Sequence, residues 1–186
     1  MWALVGISHL MHSMQAELTG DGRMFKKVIL VAAFIAAAAV PAYAKNFALP
    51  EKNPVATVVI PDSWDVDESE FGYSATSPDD DVIFTIESAT AARVDKLIES
   101  NMKWMKDQDI VPKGPATQEK IVLNGVPAEV YSYKATDPDG DTIIDFVLLP
   151  ASNGRVLLLT LWGPDEAREE NKADISTILN SVKPIN

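Results

Sequence analysis

The run Val156-Leu157-Leu158-Leu159-Thr160-Leu161-Trp162 is apolar at odd and even positions alike. Bounded by Ser152-Asn153-Gly154 on one side and Pro164 on the other, it reads as a strand. A strand with one wet face alternates polar and apolar residues, so this one has to be dry on both faces. Thr142–Leu149 nearly repeats the pattern. The centre of this sheet therefore needs cover on both sides.

The other elements follow from periodicity and punctuation. Ala56–Ile60 is a β-branched run stopped by Pro61, and Phe71–Ser77 and Val82–Ser88 flank the acidic turn Ser77-Pro78-Asp79-Asp80-Asp81. Glu119–Leu123 and Ala128–Lys134 flank Asn124-Gly125, a two-residue turn signal because both residues tolerate positive φ. Thr142–Leu149 and Arg155–Trp162 complete the strands. From Ala91 to about Gln108, the stripe Val94, Leu97, Ile98, Asn101, Met102, Met105 predicts a helix, with Thr90 placed as its N-cap. A second helix is expected from Pro164, with Asp165 and Glu166 at its positive end and the stripe Asn171, Ile175, Ile178, Leu179, Val182. Both stripes read as core faces. The expected class is α+β, an antiparallel sheet covered by helices on both faces, in the order β-β-β-α-β-β-β-β-α.

The N-terminal stretch has a different logic. Met24-Phe25-Lys26-Lys27 is a cationic start, Val28 to Val40 is apolar and uncharged, and Pro41 precedes the small-x-small pattern Ala42-Tyr43-Ala44. This is the design of a signal peptide over 24–44 with cleavage after Ala44, and it is shorter than the roughly 20 residues that a bilayer span needs. Residues 1–23 put Glu17 and Asp21 ahead of a region that should be basic, which predicts an upstream mis-start and a true start at Met24. The rest divides into an extended leading segment, 45–53, and one globular domain, 54–186. These features predict a periplasmic or secreted protein with no membrane span once the signal is removed.

Composition then closes several chemistries. Residues 45–186 carry 13 basic and 25 acidic side chains, with no His and no Cys. Thiol and imidazole nucleophiles, bases and metal ligands are excluded, and so is a disulfide. A net charge of −12 with no basic run argues against nucleic acid. The absence of Cys suits an oxidising compartment.

The element order, the opening Val58-Val59-Ile60-Pro61-Asp62-Ser63-Trp64, the central hairpins and the close Ile178-Leu179-Asn180-Ser181-Val182-Lys183-Pro184 resemble the PsbP-like α/β/α sandwich. Photosystem II extrinsic proteins, a Ran-binding nuclear import factor and DcrB-like periplasmic proteins share that fold. The resemblance implies a binding or accessory module and carries over no functional residue.

Four constellations hold candidate chemistry. Asp137-Pro138-Asp139-Gly140-Asp141 resembles the start of a calcium loop, with Asp137, Asp139 and Asp141 as ligands, but position twelve of an EF-hand falls on Leu148. The competing reading is a type I′ hairpin tip at Asp139-Gly140, which sets Lys134 opposite Asp145, Tyr133 opposite Phe146 and Tyr131 opposite Leu148. Asp145 is the one charge in an apolar strand, expected as a carboxylate partnered by Lys134. Ser100-Asn101-Met102-Lys103 has a serine–lysine nucleophile spacing, without its companion motifs and on the solvated face of its helix. Finally, Trp64, Phe71 and Tyr73 together with Asp79, Asp80 and Asp81 mark an acidic, aromatic edge for a partner, although these aromatics also suit a core.

The leading functional expectation is thus a non-catalytic periplasmic binding or accessory module with a protein partner in the cell envelope and no cofactor. A carboxylate-based hydrolase or lyase, and a weak calcium-binding protein acting through Asp137–Asp141, are the alternatives.

Overall fold

The computed structural model describes residues 44–185; the start-site expectation and all of the expected signal peptide 24–44 except Ala44 fall outside that range. The chain is mixed α+β, with eleven strands and three α-helices among the described residues. Strand β1 (Ala44–Leu49) pairs antiparallel with β2 (Ala56–Pro61), and β11 (Lys183–Pro184) adds to the other side of β2. The remaining strands form an eight-stranded antiparallel sheet. They are β3 (Asp65–Glu68), β4 (Gly72–Thr76), β5 (Ile83–Thr90), β6 (Val111–Pro112), β7 (Thr117–Leu123), β8 (Val126–Asp137), β9 (Gly140–Ala151) and β10 (Arg155–Gly163). The spatial order is β3-β4-β5-β10-β9-β8-β6, with β7 also on β8.

The two-faced strand lies where its composition requires. β10 pairs with β9 along its whole length on one side and with β5 over Arg155–Trp162 on the other. Its odd positions Leu157, Leu159 and Leu161 join Phe84, Ile86, Val58, Ile60 and the helical Ile175 and Ile178 in the largest apolar cluster. Leu158 points the other way, to Leu97, Phe71 and Ala89. Leu97 belongs to α1 (Val94–Asp107), whose buried side chains are Leu97, Asn101 and Met105. Thr90 precedes this helical stretch through a 3-10 turn but makes no side-chain cap bond.

Several expectations need correction. The leading segment 45–53 contains most of a strand, with Phe47 and Leu49 on one face and Asn46 and Ala48 on the other; the prolines after it obscured that short signal. Ala56–Ile60 belongs to a separate small sheet and not to the main one. The short strands β3, β6 and β11, of two to four residues, are too brief for a period to be visible. The second helix is two, α2 (Asp165–Glu170) and α3 (Lys172–Ser181). They break at Asn171, whose amide donates to Ala167 O (3.0 Å) and to Asp79 (2.8 Å), so that a polar side chain ties the break to the β4–β5 turn.

The β8–β9 hairpin turns at Pro138-Asp139, one residue earlier than the expected two-residue turn at Asp139-Gly140. Asp137 faces Gly140, Ser132 faces Asp145 and Tyr131 faces Phe146. Pro138 presets the first turn position, and Asp137 Oδ1 accepts from the amides of Asp139 (2.9 Å) and Gly140 (3.0 Å). The slip is two residues, so every side chain keeps its face. Asp145 is indeed partnered, but by Arg168 of α2 and not by Lys134.

The Asn124-Gly125 turn is as expected, with positive φ at both residues (51° and 85°) and Leu123 facing Val126. Asn124 Nδ2 also donates to the carbonyls of Leu179 (2.9 Å) and Val182 (2.8 Å), closing the C-terminal end of α3. No helix among the described residues is long and apolar enough to cross a membrane.

Asn124 thus joins the far hairpin to α3, and its substitution separates two contributions. Asn124→Gly keeps the turn conformation and loses both cap bonds, for an expected loss of about 1 kcal/mol. Asn124→Ala adds a positive-φ penalty, for about 2 kcal/mol in all. Urea unfolding of the two variants measures both, and equal losses would show that the caps alone matter.

Candidate ligand cleft

Helix α1 packs over β5 and β10 through Leu97 and, near its C-terminal end, reaches Ala135 of β8 and Ile144 of β9 through Met105, leaving the stretch of β8 and β9 beside its middle uncovered. Register defines the floor. One cross-strand row reads Glu87–Leu158–Leu148–Glu129, and the next reads Thr85–Thr160–Phe146–Tyr131. Between this floor and the flank of α1 is a cleft of about 250 Å³, lined by Ile98 and Met102 on the helix and by Tyr131, Tyr133, Phe146 and Leu148 on the sheet. Ile98 is 43% exposed and Met102 53%, although both sit at stripe positions. Their outward apolar surface faces an aromatic floor in which Tyr133 and Phe146 pack edge to face at 6.1 Å.

A polar joint holds the inner wall of the cleft. Glu87 and Asn101 are buried. Asn101 Nδ2 donates to Glu87 Oε2 at 2.8 Å and to Leu97 O at 3.1 Å, and the Thr160 hydroxyl donates to Asn101 Oδ1 at 3.5 Å. Burial pushes the Glu87 carboxyl above its ordinary pKa, and the Asn101 hydrogen bond opposes this. Leu97 and Met105 anchor the two ends of α1 in separate small clusters, and Trp104 packs edge to face on Trp162 at 5.3 Å. At the outer rim, Tyr131 donates to Glu129 (2.9 Å) and accepts from Gln118 (3.0 Å), and its bond to Glu129 holds its hydroxyl above the usual tyrosine pKa.

Sequence reasoning missed Glu87. Its signal was a lone acid in the apolar run Val82–Ala89, matched by a lone amide, Asn101, in the apolar stripe of α1. Two polar residues at core positions of packed elements form one hydrogen-bonded pair.

Fold comparison places the chain once this geometry is known. It is similar to the cyanobacterial PsbP protein (CyanoP) of Synechocystis sp. PCC 6803, with a TM-score of 0.53 and 10% sequence identity over 80% of this chain and 96% of that one. The fold is PsbP-like. A protein of Bacteroides thetaiotaomicron VPI-5482 is similar at a TM-score of 0.51 and 10% identity, over 76% of this chain and 48% of its own. No protein-family model and no curated protein matches the sequence. At such identities the likeness is one of fold, and function has to be argued from the chain's own residues.

The expected acidic, aromatic edge comes apart. Trp64 (4% exposed) and Phe71 (8%) are core residues, so they present no surface to a partner. Trp64 Nε1 donates to Asp174, and the Phe71 ring lies under Arg93. Tyr73 packs on Phe47 at 5.0 Å. Asp79 takes the Ser77 hydroxyl and the Asn171 amide, which together hold its pKa below the usual carboxylate range, while Asp80 and Asp81 are exposed.

Asp137, Asp139 and Asp141 do not converge as a ligand set. Asp137 is spent on its turn and Asp141 pairs with Lys113, and among the described residues no three acidic side chains group to hold a metal ion. Ser100 is exposed, and Lys103 pairs with Asp107.

Two variants test the polar interior. Because burial raises the Glu87 pKa, its stabilising contribution is full below about pH 4 and is lost as pH rises through the folded-state value. Glu87→Gln removes that loss and keeps the acceptor for Asn101. Its urea midpoint should therefore gain on the parent from about pH 4 upward; a difference that does not change with pH would contradict a buried, titrating Glu87. Asp145→Asn leaves the largely buried Arg168 without its counter-charge and should cost about 1–3 kcal/mol. Asp145→Leu combined with Arg168→Met should recover most of that loss.

Proposed function

We propose that this protein is an exported, non-catalytic binding module, with α1 and α3 as the outer layers of its sandwich and the α1 cleft as its contact site. One observation carries the reading. Ile98 and Met102 stay exposed beside an aromatic floor on a helix whose inner side is fixed by a hydrogen-bonded buried carboxylate. Leaving that apolar surface in water costs stability, at about 25 cal/mol for each Å² kept out of the core. A flexible Met beside aromatics suits an apolar side chain or a small apolar group. The PsbP-like fold and the signal-like residues 24–44 support an extracytoplasmic setting, with a protein partner in the cell envelope as the occupant.

Carboxylate chemistry finds less support on this face. Glu87 and Glu129 share a row but lie three strand spacings apart, about 14 Å. Paired catalytic carboxylates work across about 5–9.5 Å.

A photo-crosslinking residue in place of Met102 tests the proposal in the native host. The expected result is one reproducible adduct that disappears when Ile98→Glu is added. The same probe at Lys103, one residue along on the solvated side, should give none. Equal labelling from both positions would overturn the cleft as the contact site.

A further inference from the structure

A second cavity, of about 310 Å³, lies at the end of the main sheet, between the β1–β2 loop, the β3–β4 turn, the ends of β4, β5 and β10, and Arg93 just before α1. Arg155 lines it. Its Nη2 donates to the carbonyl of Ser88 (3.0 Å) and to the Ser88 hydroxyl (2.8 Å), and Ser88 is buried. Arg155 Nε is buried and without a partner. Arg93 and Arg168 each pair with a carboxylate, whereas Arg155 pairs with none among the described residues. In a chain with 25 acidic side chains in residues 45–186, a guanidinium held in place through Nη2, with its Nη1 bonded to nothing among the described residues, is set up to receive an anion.

The same cavity also carries the opposite sign. Glu51, from the β1–β2 loop, and Glu68, from β3, line the same cavity, and both raise the pKa of the lining Tyr73, after its own burial. Neither pairs with a cation among the described residues, and neither reaches Arg155. Glu70, also at the rim, is already shared by Arg93 and Lys96. The cavity therefore holds one cation and two carboxylates that are not paired with each other. Its volume is at the small end of ligand sites.

We infer that this cavity binds a free α-amino acid, with its carboxylate on Arg155 and Ser88 and its ammonium toward Glu51 and Glu68. The site is separate from the α1 cleft, so either can fail without the other.

Calorimetric titration of the purified protein with glycine, leucine and glutamine tests it, with acetate and ethylamine as single-charge controls. At least one amino acid should saturate the site, and each control should bind about tenfold or more weakly, because each leaves one charged hydrogen-bonding end unmet. Arg155→Gln should abolish the binding. Glu68→Gln, at an exposed position, should weaken it about tenfold with the unfolding midpoint unchanged. No saturation by any of the three amino acids up to about 10 mM, acetate binding as tightly as glycine, or wild-type affinity in Glu68→Gln would each overturn the proposal. If Arg155→Gln fails to fold, Glu68→Gln and the two controls decide.

Discussion

β10 gives neither face to water, and the rest of the structure is arranged around that demand. Four of its leucines are buried, Leu157, Leu158, Leu159 and Leu161, each contributing about 1.5–3 kcal/mol relative to exposure. Three face one way and one the other, and the two sides are met differently. The odd side has a deep cluster drawn from β2, β5 and α3. The even side has two small clusters strung along α1, joined by Asn101. A helix of 14 residues spans about 21 Å. Running over β5 and β10 and touching β8 and β9 only at the Met105 end, it leaves the aromatic positions Tyr131 and Tyr133 beside its middle. The cleft is the part of that face that α1 does not reach.

The same economy explains why a carboxylate lies under the helix. With apolar contacts divided between Leu97 at one end and Met105 at the other, the middle of α1 is aligned by Asn101, which donates to Glu87 and accepts from Thr160. A buried polar pair costs more than apolar packing unless it is satisfied, but it is directional. An apolar middle would let the helix slide along the sheet; Asn101 sets one register and so fixes where Ile98 and Met102 stand. The polar joint thereby shapes the cleft without touching its contents.

Much of the sheet was legible in the sequence because it rests on local signals. The two-faced run 156–162 defined the centre, and Asn124-Gly125 defined one hairpin to the residue. What was not legible depended on partners distant in sequence. β2 reads like any strand, and only its packing under α3 and its neighbours β1 and β11 place it in a sheet of its own. Trp64 and Phe71 sit in acidic surroundings and look like surface aromatics, but Trp64 meets Asp174, 110 residues away, and Phe71 meets Leu97 and Leu158. The cleft itself was hidden because its helical wall obeys the core pattern: Ile98 and Met102 keep the stripe's spacing while facing no partner.

The Asp145 error shows why some misreadings leave a fold argument intact and spoil a site argument. Moving the β8–β9 turn by one residue shifts the register by two and changes every opposed pair, yet inward side chains stay inward, since strand faces alternate with period two. Asp145 stayed an interior carboxylate in need of a cation under either register. Its actual partner, Arg168, lies 23 residues on, in a six-residue helix whose break from α3 is set by Asn171. Burial and charge demand are thus properties of a strand position that one sequence can reveal. The identity of the partner is a property of how separate elements dock, and it is the docking of α1, β2 and α2 that shapes the sites.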